Sequence, residues 1–238
     1  MSQPLQLNVI ARIHTDFATK FGIPRQSGLV DALQGLIVFE PEYCNPDALR
    51  GIDGYSHLWL IWEFTQANLP AGKWSPTVRP PRLGGNTRMG VFATRSPFRP
   101  NRLGLSCVKL TGIKQHPTLG TVLEVAGADL LDGTPIYDIK PYLPYVDSHP
   151  DAKGGFADAT RDYALKVVFP PEWLAMVPAE KQAALTGVLA GDPRPSYQND
   201  PDRVYGFVFA GLEIRFFVAE DTLTVCGVSP VASTSQEN

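Results

Sequence analysis

The spacing of short apolar runs over the first 140 residues is the strongest constraint on this fold. In "LQLNVIARI", Leu5, Leu7, Val9, Ala11 and Ile13 alternate with Gln6, Asn8 and Arg12, the two-residue period of a strand that buries one face. "GLIVFE" and "YSHLWLIWEF" come next, the second being the most apolar strand of the chain. "RMGVFATR", "LSCVKLTGI", "TVLEVAG" and "PIYDIK" follow. Turn residues separate these runs, and no helix-length pattern intervenes. A doubly wound α/β sheet would alternate its strands with helices of roughly ten or more residues. The expectation is therefore a mainly β fold, a closed or strongly curved antiparallel β-barrel. The 22 prolines and 21 glycines among 238 residues suit such a loop-rich chain better than a helical bundle.

The pattern changes near residue 150. Asp147 to Asp158 is polar and glycine-rich, as a linker would be. Beyond it lie "YALKVVF" and a helix, "PAEKQAALTGVLA", with Pro178 at its start and Gly191 as its C-terminal cap. A rigid "DPRPSYQND" turn and three short strands around "YGFVF", "LEIRFFV" and "LTVCGV" close the chain. This predicts a β-barrel domain over residues 1–150 and a small C-terminal α+β appendage over residues 151–238, with a disordered "ASTSQEN" tail.

Several chemistries find no support. Cys44, Cys107 and Cys226 are far apart, which fits neither a zinc ribbon nor a disulfide framework. The four histidines, His14, His57, His116 and His149, make no HxH or HExxH spacing, so no metal is expected. His57, beside a buried strand, reads as a hydrogen-bonded structural residue. Neither G-x-G-x-x-G nor G-x-x-x-x-G-K-[ST] occurs after a strand. Ser106 and Cys107 in "GLSCV" lack a G-x-S-x-G setting and a nearby histidine, so Cys107 reads as a small packing residue. The N-terminus shows no basic lead before an apolar block, and no run is of membrane-spanning length. A soluble, cytoplasmic protein is expected.

The net charge of −3 conceals a segregation. Nine Lys or Arg and no Asp or Glu stand between Phe64 and Leu123, which leaves a balance of −12 for the remainder. Six of the nine are arginines of "RPPRLGGNTRMGVFATRSPFRPNRLG": Arg79, Arg82, Arg88, Arg95, Arg99 and Arg102. Guanidinium suits bidentate contact with phosphate or carboxylate better than ammonium does. The prolines stiffen this platform, while Gly84 and Gly85 admit close approach of a ligand. Phe98 stands between Arg95 and Arg99, and arginines with interleaved aromatics are the usual means of holding unstacked nucleotides. No recognition helix for duplex DNA is evident, so RNA is the expected partner. A second concentration, "GADLLDGTPIYDIKPYLPY", places Asp129, Asp132, Asp138 and Lys140 within twelve residues, near Tyr137, Tyr142 and Tyr145. That composition looks more like a polar pocket than a plain hairpin at Asp132-Gly133.

Together "FGIPRQSGLV", "YSHLWLIWEF", "RPPRLGG", "RMGVFATRSPFRPN", "LLDGTPIYDIKPYLPY" and "DPRPSY" resemble the TrmO family of tRNA (adenine-N6)-methyltransferases, over about residues 9 to 200. The resemblance implies an S-adenosylmethionine-dependent transferase on a single-sheeted barrel, working as a homodimer. Its substrate would be the threonylcarbamoyl-adenosine next to the tRNA anticodon, methylated on N6. By motif, the resemblance places the cofactor with Arg25, Gln26, Gln66, Arg95, Leu105, Leu130, Leu131, Asp132, Gly133 and Thr134. Arg95 or Arg25 would face the methionine carboxylate, and Asp132 with turn carbonyls would accept from ammonium and sulfonium. One departure stands out: the family commonly reads "RPNPIG" where this chain has "RPNRLG", so Arg102 replaces a proline.

On this footing Arg79, Arg82, Arg88 and Arg99 are candidates to engage tRNA phosphate and the modified base. Asp138, Lys140 or Tyr142 would sit near the transferred proton, with a structural Asp138–Lys140 salt bridge as the alternative. The scheme needs Arg95 and Asp132 to meet over one cavity. A rival reading is a non-catalytic RNA-binding barrel, which would use the arginines but has no need of the "DLLDGTPIYDIK" block. A metal-free hydrolase would need a nucleophile and base that the sequence does not offer.

Overall fold

The computed structural model describes residues 5–67, 73–80, 83, 86–194 and 200–231. Arg82, Gly84, Gly85, the "PSYQN" part of the proline-rich turn and the C-terminal tail lie outside the described residues. The first unit contains β1 (Ala11–His14), β2 (Gln34–Phe39), β3 (His57–Glu63) and a short ribbon of β4 (Thr77–Val78) and β5 (Met89–Gly90). β6 (Leu103–His116), β7 (Gly120–Ala126) and β8 (Thr134–Pro141) complete it. Six of these pair in the order β1-β2-β7-β6-β3-β8, all antiparallel, and β8 pairs back onto β1, so the sheet closes as a barrel.

Period-two alternation decides what faces inward. On β3, Leu58, Leu60 and Trp62 are buried while His57, Trp59, Ile61 and Glu63 lie half-exposed on the outer face. Ile13, Ile37, Leu58, Leu60, Leu123 and Ile136 are fully buried inside, each worth about 1.5–3 kcal/mol relative to exposure. β7 and β8 follow one another in the chain but are not neighbours in the sheet. The Asp132-Gly133 turn therefore ends a crossing segment rather than joining a hairpin, and Ala128 and Leu130 of that segment enter the core.

Two of the expected strands shrink. Leu5 and Leu7 are 85% and 43% exposed, and the first strand starts only at Ala11. β1 is paired on both sides only from Ala11 onward, opposite Phe39 and Ile136, so the alternation of residues 5–9 has no sheet to bury it. "RMGVFATR" keeps two strand residues and then turns into a 3-10 helix, Val91–Ala93, whose Val91 is buried. Its partner β4 is itself only two residues long, directly after Pro76, and the Val91 N–H donates to the Pro76 carbonyl at 3.0 Å.

A short helix, α1 (Pro144–Asp147), follows β8. The C-terminal unit then has β9 (Lys166–Val168), α2 (Pro171–Leu174) and α3 (Ala179–Ala190). β10 (Tyr205–Phe209), β11 (Leu212–Ala219) and β12 (Thr222–Pro230) end the described chain. The four strands form a sheet in the order β10-β11-β12-β9, with β9 parallel to β12. Gly191 caps α3 as its position suggests. The core beneath this sheet takes Ala184, Leu185, Val188 and Leu189 from α3, but also Phe17, Val30 and Leu33 from the β1–β2 loop. Phe17 packs edge-on against Phe209 at 5.4 Å, and Lys181 of α3 pairs with Asp16 at 2.6 Å. The loop over residues 15–33 thus belongs to the second core while its ends belong to the first sheet. That placement is what assembles the site.

Candidate active site

The β1–β2 loop touches several of the segments that the sequence singles out. At its start, the Thr15 hydroxyl donates to the Leu130 carbonyl at 2.9 Å and the Thr15 N–H to the Asp132 carboxylate at 3.0 Å. Further on, Lys20 reaches the Gln66 carbonyl at 3.5 Å. Near its end, Gln26 accepts from Arg95 through a short hydrogen bond. β6 explains why the loop docks where it does. Its pairing with β7 begins only at Lys109, opposite Ala126, so residues 103–108 leave an open edge. The Ser27 hydroxyl takes the Cys107 N–H at 3.0 Å and the Gly28 N–H donates to the Gly127 carbonyl at 2.9 Å, satisfying donors that would otherwise be orphaned. Gly127 has a φ of +75°, and a Cβ there would meet the Gly28 backbone at 3.3 Å, so this approach requires glycine.

Beneath the loop lies a chain of polar groups that begins inside the barrel. The Trp62 indole N–H donates to the Ser106 hydroxyl at 2.9 Å, and Ser106 donates to the Asp129 carboxylate at 2.6 Å. A buried indole needs such an acceptor. It finds room because residue 104 is glycine, where a Cβ would lie 2.3 Å from the Trp62 ring. Burial is the largest influence on Asp129 and raises its carboxyl above the ordinary range. The Ser106 hydrogen bond, the Asp129 and Ser27 backbone N–H groups and the Arg95 charge pull the other way without reversing it. Asp129 thus lies within reach of the Arg95 charge, while the hydrogen bond of Arg95 goes to Gln26.

Asp132 has another setting. Its carboxylate is engaged by the Thr15 N–H and lies 3.2 Å from His14 Nδ1, while its own N–H donates to the Phe17 carbonyl. Gly133 donates to Ile13 and accepts from Arg12 at 3.3 Å, and the buried Thr134 hydroxyl closes onto the Leu131 carbonyl at 2.7 Å. Leu130 is buried in the barrel. Residues 130–134 thus hold the start of the loop. Arg95, by contrast, is bonded to Gln26, and the carboxylate its charge acts on is Asp129, three residues upstream. A groove lined by His14, Asp16, Gln34, Glu124 and Lys181 is separate and includes none of Arg25, Gln26, Arg95 or Asp129.

The outer face of β8-β3-β6 carries the remaining candidates in two rows. Asp138, Ile61 and Leu105 lie in register across the three strands, and Lys140, Trp59 and Cys107 form the next row. Lys140 pairs with Asp138 at 2.8 Å, both well exposed, and Asp138 also accepts the Ile139 N–H. Tyr142 lies against His57 and Trp59, with centroids 6.0 and 5.8 Å away. Trp59 donates to Asp147 at 3.1 Å. The Tyr137 hydroxyl, next to Asp138 in sequence, donates to Glu63. Burial foremost, then Glu63, pushes its pKa to about 12, so Tyr137 remains a proton-bearing donor near neutrality. His57 is held by the Ser56 hydroxyl at 2.9 Å, as a structural histidine would be. Burial, then Asp147, raises the Cys107 thiol, which leaves it a poor nucleophile.

The arginines divide by what holds them. Arg99 donates to the Thr94 and Ser96 carbonyls at 3.1 and 3.3 Å and so fixes the turn that carries Arg95. Arg102, at the usual proline position, donates to the Ala67 carbonyl at 3.2 Å and ties the Gln66 turn to the start of β6. Arg79 and Arg88 are exposed, Arg88 with one long bond to the Thr77 hydroxyl at 3.5 Å. Arg25 reaches the Arg194 carbonyl at 3.5 Å, in a turn where Arg194 pairs with Asp192 at 2.9 Å. Asp129 is named by the sequence only as one acid of a polar stretch, and Ser106 and Thr15 escape a reading of the sequence as site residues. The only signal is polar residues on strands or loops that otherwise bury apolar groups.

A closed antiparallel sheet with a basic insertion, and a loop that ties that insertion to the acid-bearing crossing segment, defines the class as a β-barrel protein with a polar site at one loop. Comparison with known proteins gives the family. Residues 12–148 match the tRNA-methyltransferase O N-terminal domain and residues 162–231 the TrmO C-terminal domain, so the chain belongs to the tRNA-methyltransferase O family. It is 40% identical over 233 residues to the tRNA (adenine(37)-N6)-methyltransferase of Escherichia coli K12, covering 94% of this chain and 98% of that protein. It is 46% identical over 178 residues to the protein of the same description from Eikenella corrodens, covering 74% and 98%. The crystal structure of TrmO from Pseudomonas aeruginosa superposes with a TM-score of 0.77 at 33% identity, covering 97% of this chain and 99% of that one. Among the described residues, no helix is long and apolar enough to cross a membrane.

Proposed function

We propose that this chain is an S-adenosylmethionine-dependent tRNA methyltransferase acting on N6 of the threonylcarbamoyl-adenosine next to the anticodon, in the cytoplasm and as a homodimer. The observation that carries this reading is the convergence of Arg95, Gln26 and the half-buried Asp129 under a single loop that also touches Gln66 and residues 130–132. The donor set fits the cofactor. Arg95 and Arg25 suit an α-carboxylate, Asp129 with the neighbouring carbonyls suits an ammonium group, and the exposed Leu105 beside Ile61 offers apolar cover for a purine. Asp132 contributes through the Thr15 link, as a holder of the loop. When bound, the cofactor supplies an electrophilic methyl group on a sulfonium.

The residues of the chain supply position and proton removal. Much of such a displacement depends on holding nucleophile and electrophile in line. Adenine N6 is a weak nucleophile because its lone pair is delocalised into the ring, and a carbamoyl substituent makes its N–H more acidic. Asp138 is the base that receives this proton, with Lys140 at 2.8 Å aiming the carboxylate. Tyr142, packed on Trp59, borders the same face. Arg79, Arg82, Arg88 and Arg99 are the residues assigned to the RNA phosphates and the threonyl carboxylate. Leu103, Leu105, Tyr145 and Val146 are exposed apolar side chains around this surface, which supports a second copy of the chain packing beside it.

Mass spectrometry of tRNA nucleosides from cells with and without the protein tests the reading. Loss of N6-methylated threonylcarbamoyl-adenosine is expected, and an unchanged nucleoside profile would overturn it. For the base, Asp138→Asn should slow single-turnover methylation by about a hundredfold or more, whereas a wild-type rate removes Asp138 from that role.

A further inference from the structure

The basic insertion also carries two large rings that neither the fold nor the site uses. Trp74 and Phe92 stack on each other with centroids 6.0 Å apart and planes inclined by 26°. They are nevertheless 45% and 73% exposed. The backbone beneath them is firmly held. The β4–β5 ribbon pairs Thr77 with Gly90 and Val78 with Met89. Buried Val91 is bonded to Pro76, and the Ser75 N–H donates to the Phe98 carbonyl at 3.3 Å. The rings are therefore presented on a fixed support instead of at a loose loop tip.

Their surroundings identify the occupant. Lys73 precedes Trp74, Arg79 follows β4, and Arg88 precedes β5 and reaches Thr77. Among the described residues no ion pair involves Lys73, Arg79, Arg88, Arg95, Arg99 or Arg102, and no acid occurs from Phe64 to Leu123. A flat apolar face rimmed by unneutralised cations complements a polyanion that displays flat apolar faces, which is single-stranded nucleic acid. We propose that the Trp74–Phe92 pair is a stacking platform for an unstacked base of the RNA substrate, separate from the nucleotide that is methylated. This rests on the tRNA reading above and adds a second point at which the RNA is gripped.

Binding of a fluorescently labelled anticodon stem–loop RNA, followed by anisotropy, tests the platform. Phe92→Ala should weaken binding about five- to a hundredfold, Phe92→Trp should bind as the wild type, and Phe92→Leu should stay weak because it keeps apolar area without a π face. The dependence on salt should be unaltered, since no charge is removed. Cofactor affinity by calorimetry should not move, and a fully paired RNA duplex should bind all variants alike. Wild-type affinity in Phe92→Ala or Phe92→Leu overturns the platform and leaves the tRNA reading standing. Failure of the wild type to bind the stem–loop overturns both. A smaller assembly for Phe92→Ala by light scattering would assign the rings to contact between copies and overturn the platform as well.

Discussion

Arg194 and Arg95 both stand in proline-rich turns, yet the molecule treats them oppositely. Arg194 is 8% exposed, and two of its guanidinium nitrogens grip the Asp192 carboxylate at 2.9 and 3.0 Å. Asp192 accepts a further bond from Tyr163 at 3.0 Å. Its burial alone would raise the carboxyl, but the hydrogen bonds and charge of Arg194, with the Tyr163 bond, outweigh that and hold it below the ordinary range. Arg95 lies exposed, held by a neutral amide and drawn electrostatically to a carboxylate that burial keeps above the ordinary range. A paired, buried guanidinium serves the fold. One left exposed and held only by a neutral amide retains capacity for a charged ligand.

The contrast can be broken most severely at the buried pair. Asp192→Ala strands Arg194 and should cost about 3–5 kcal/mol in denaturant unfolding at neutral pH. Because the folded carboxyl titrates low, the stability that it confers is present above the ordinary carboxylate range and is lost as pH falls through its folded value. The gap between wild type and variant should therefore close in acid, and a gap constant with pH would refute the assignment. Arg95→Ala should leave stability within about 0.5 kcal/mol while weakening cofactor binding roughly ten- to a hundredfold by calorimetry. Unchanged affinity would remove Arg95 from the site.

Asp129→Asn sharpens the same comparison at smaller amplitude. The raised Asp129 carboxyl confers stability that is present below the ordinary carboxylate range and lost as pH rises through its folded value. Thermal unfolding of the variant should show less decline than the wild type as pH rises from about 4, with cofactor affinity reduced less than in Arg95→Ala. The smallest effect is expected at the exposed cations. Arg79→Ala and Arg88→Ala should leave the melting temperature in place and lower the slope of log affinity for RNA against log salt by roughly 0.7 for each phosphate contact removed. A slope equal to that of the wild type would separate these arginines from RNA contact.

The strands β2, β3 and β10–β12 and the helix α3 were legible because local periodicity and caps both point to them. "LQLNVIARI" carries the same period, yet only its last residues pair, since alternation records a capacity to be buried and says nothing of whether a neighbour exists. The candidate site shows the same division. The types of residue, and the stretches that contain them, were readable: arginines without acids, then acids beside a lysine and tyrosines. Their partners were not, because Trp62, Ser106 and Asp129 belong to three segments that become adjacent only when the sheet closes.

The sequence by itself determined a β-rich chain, the charge asymmetry, the C-terminal α+β unit and the residues able to bind an anion, all of which depend on local pattern and composition. Tertiary structure alone decided that Asp129 accepts from Ser106 within reach of the Arg95 charge while Asp132 holds Thr15, and that the 15–33 loop packs into the second core. Three residues of a crossing segment are enough to turn one carboxylate toward the Ser106 hydroxyl and the other toward a backbone N–H. Direction of that kind is set by which strands pair around the ring, an energy shared among distant residues and carried by none of them singly.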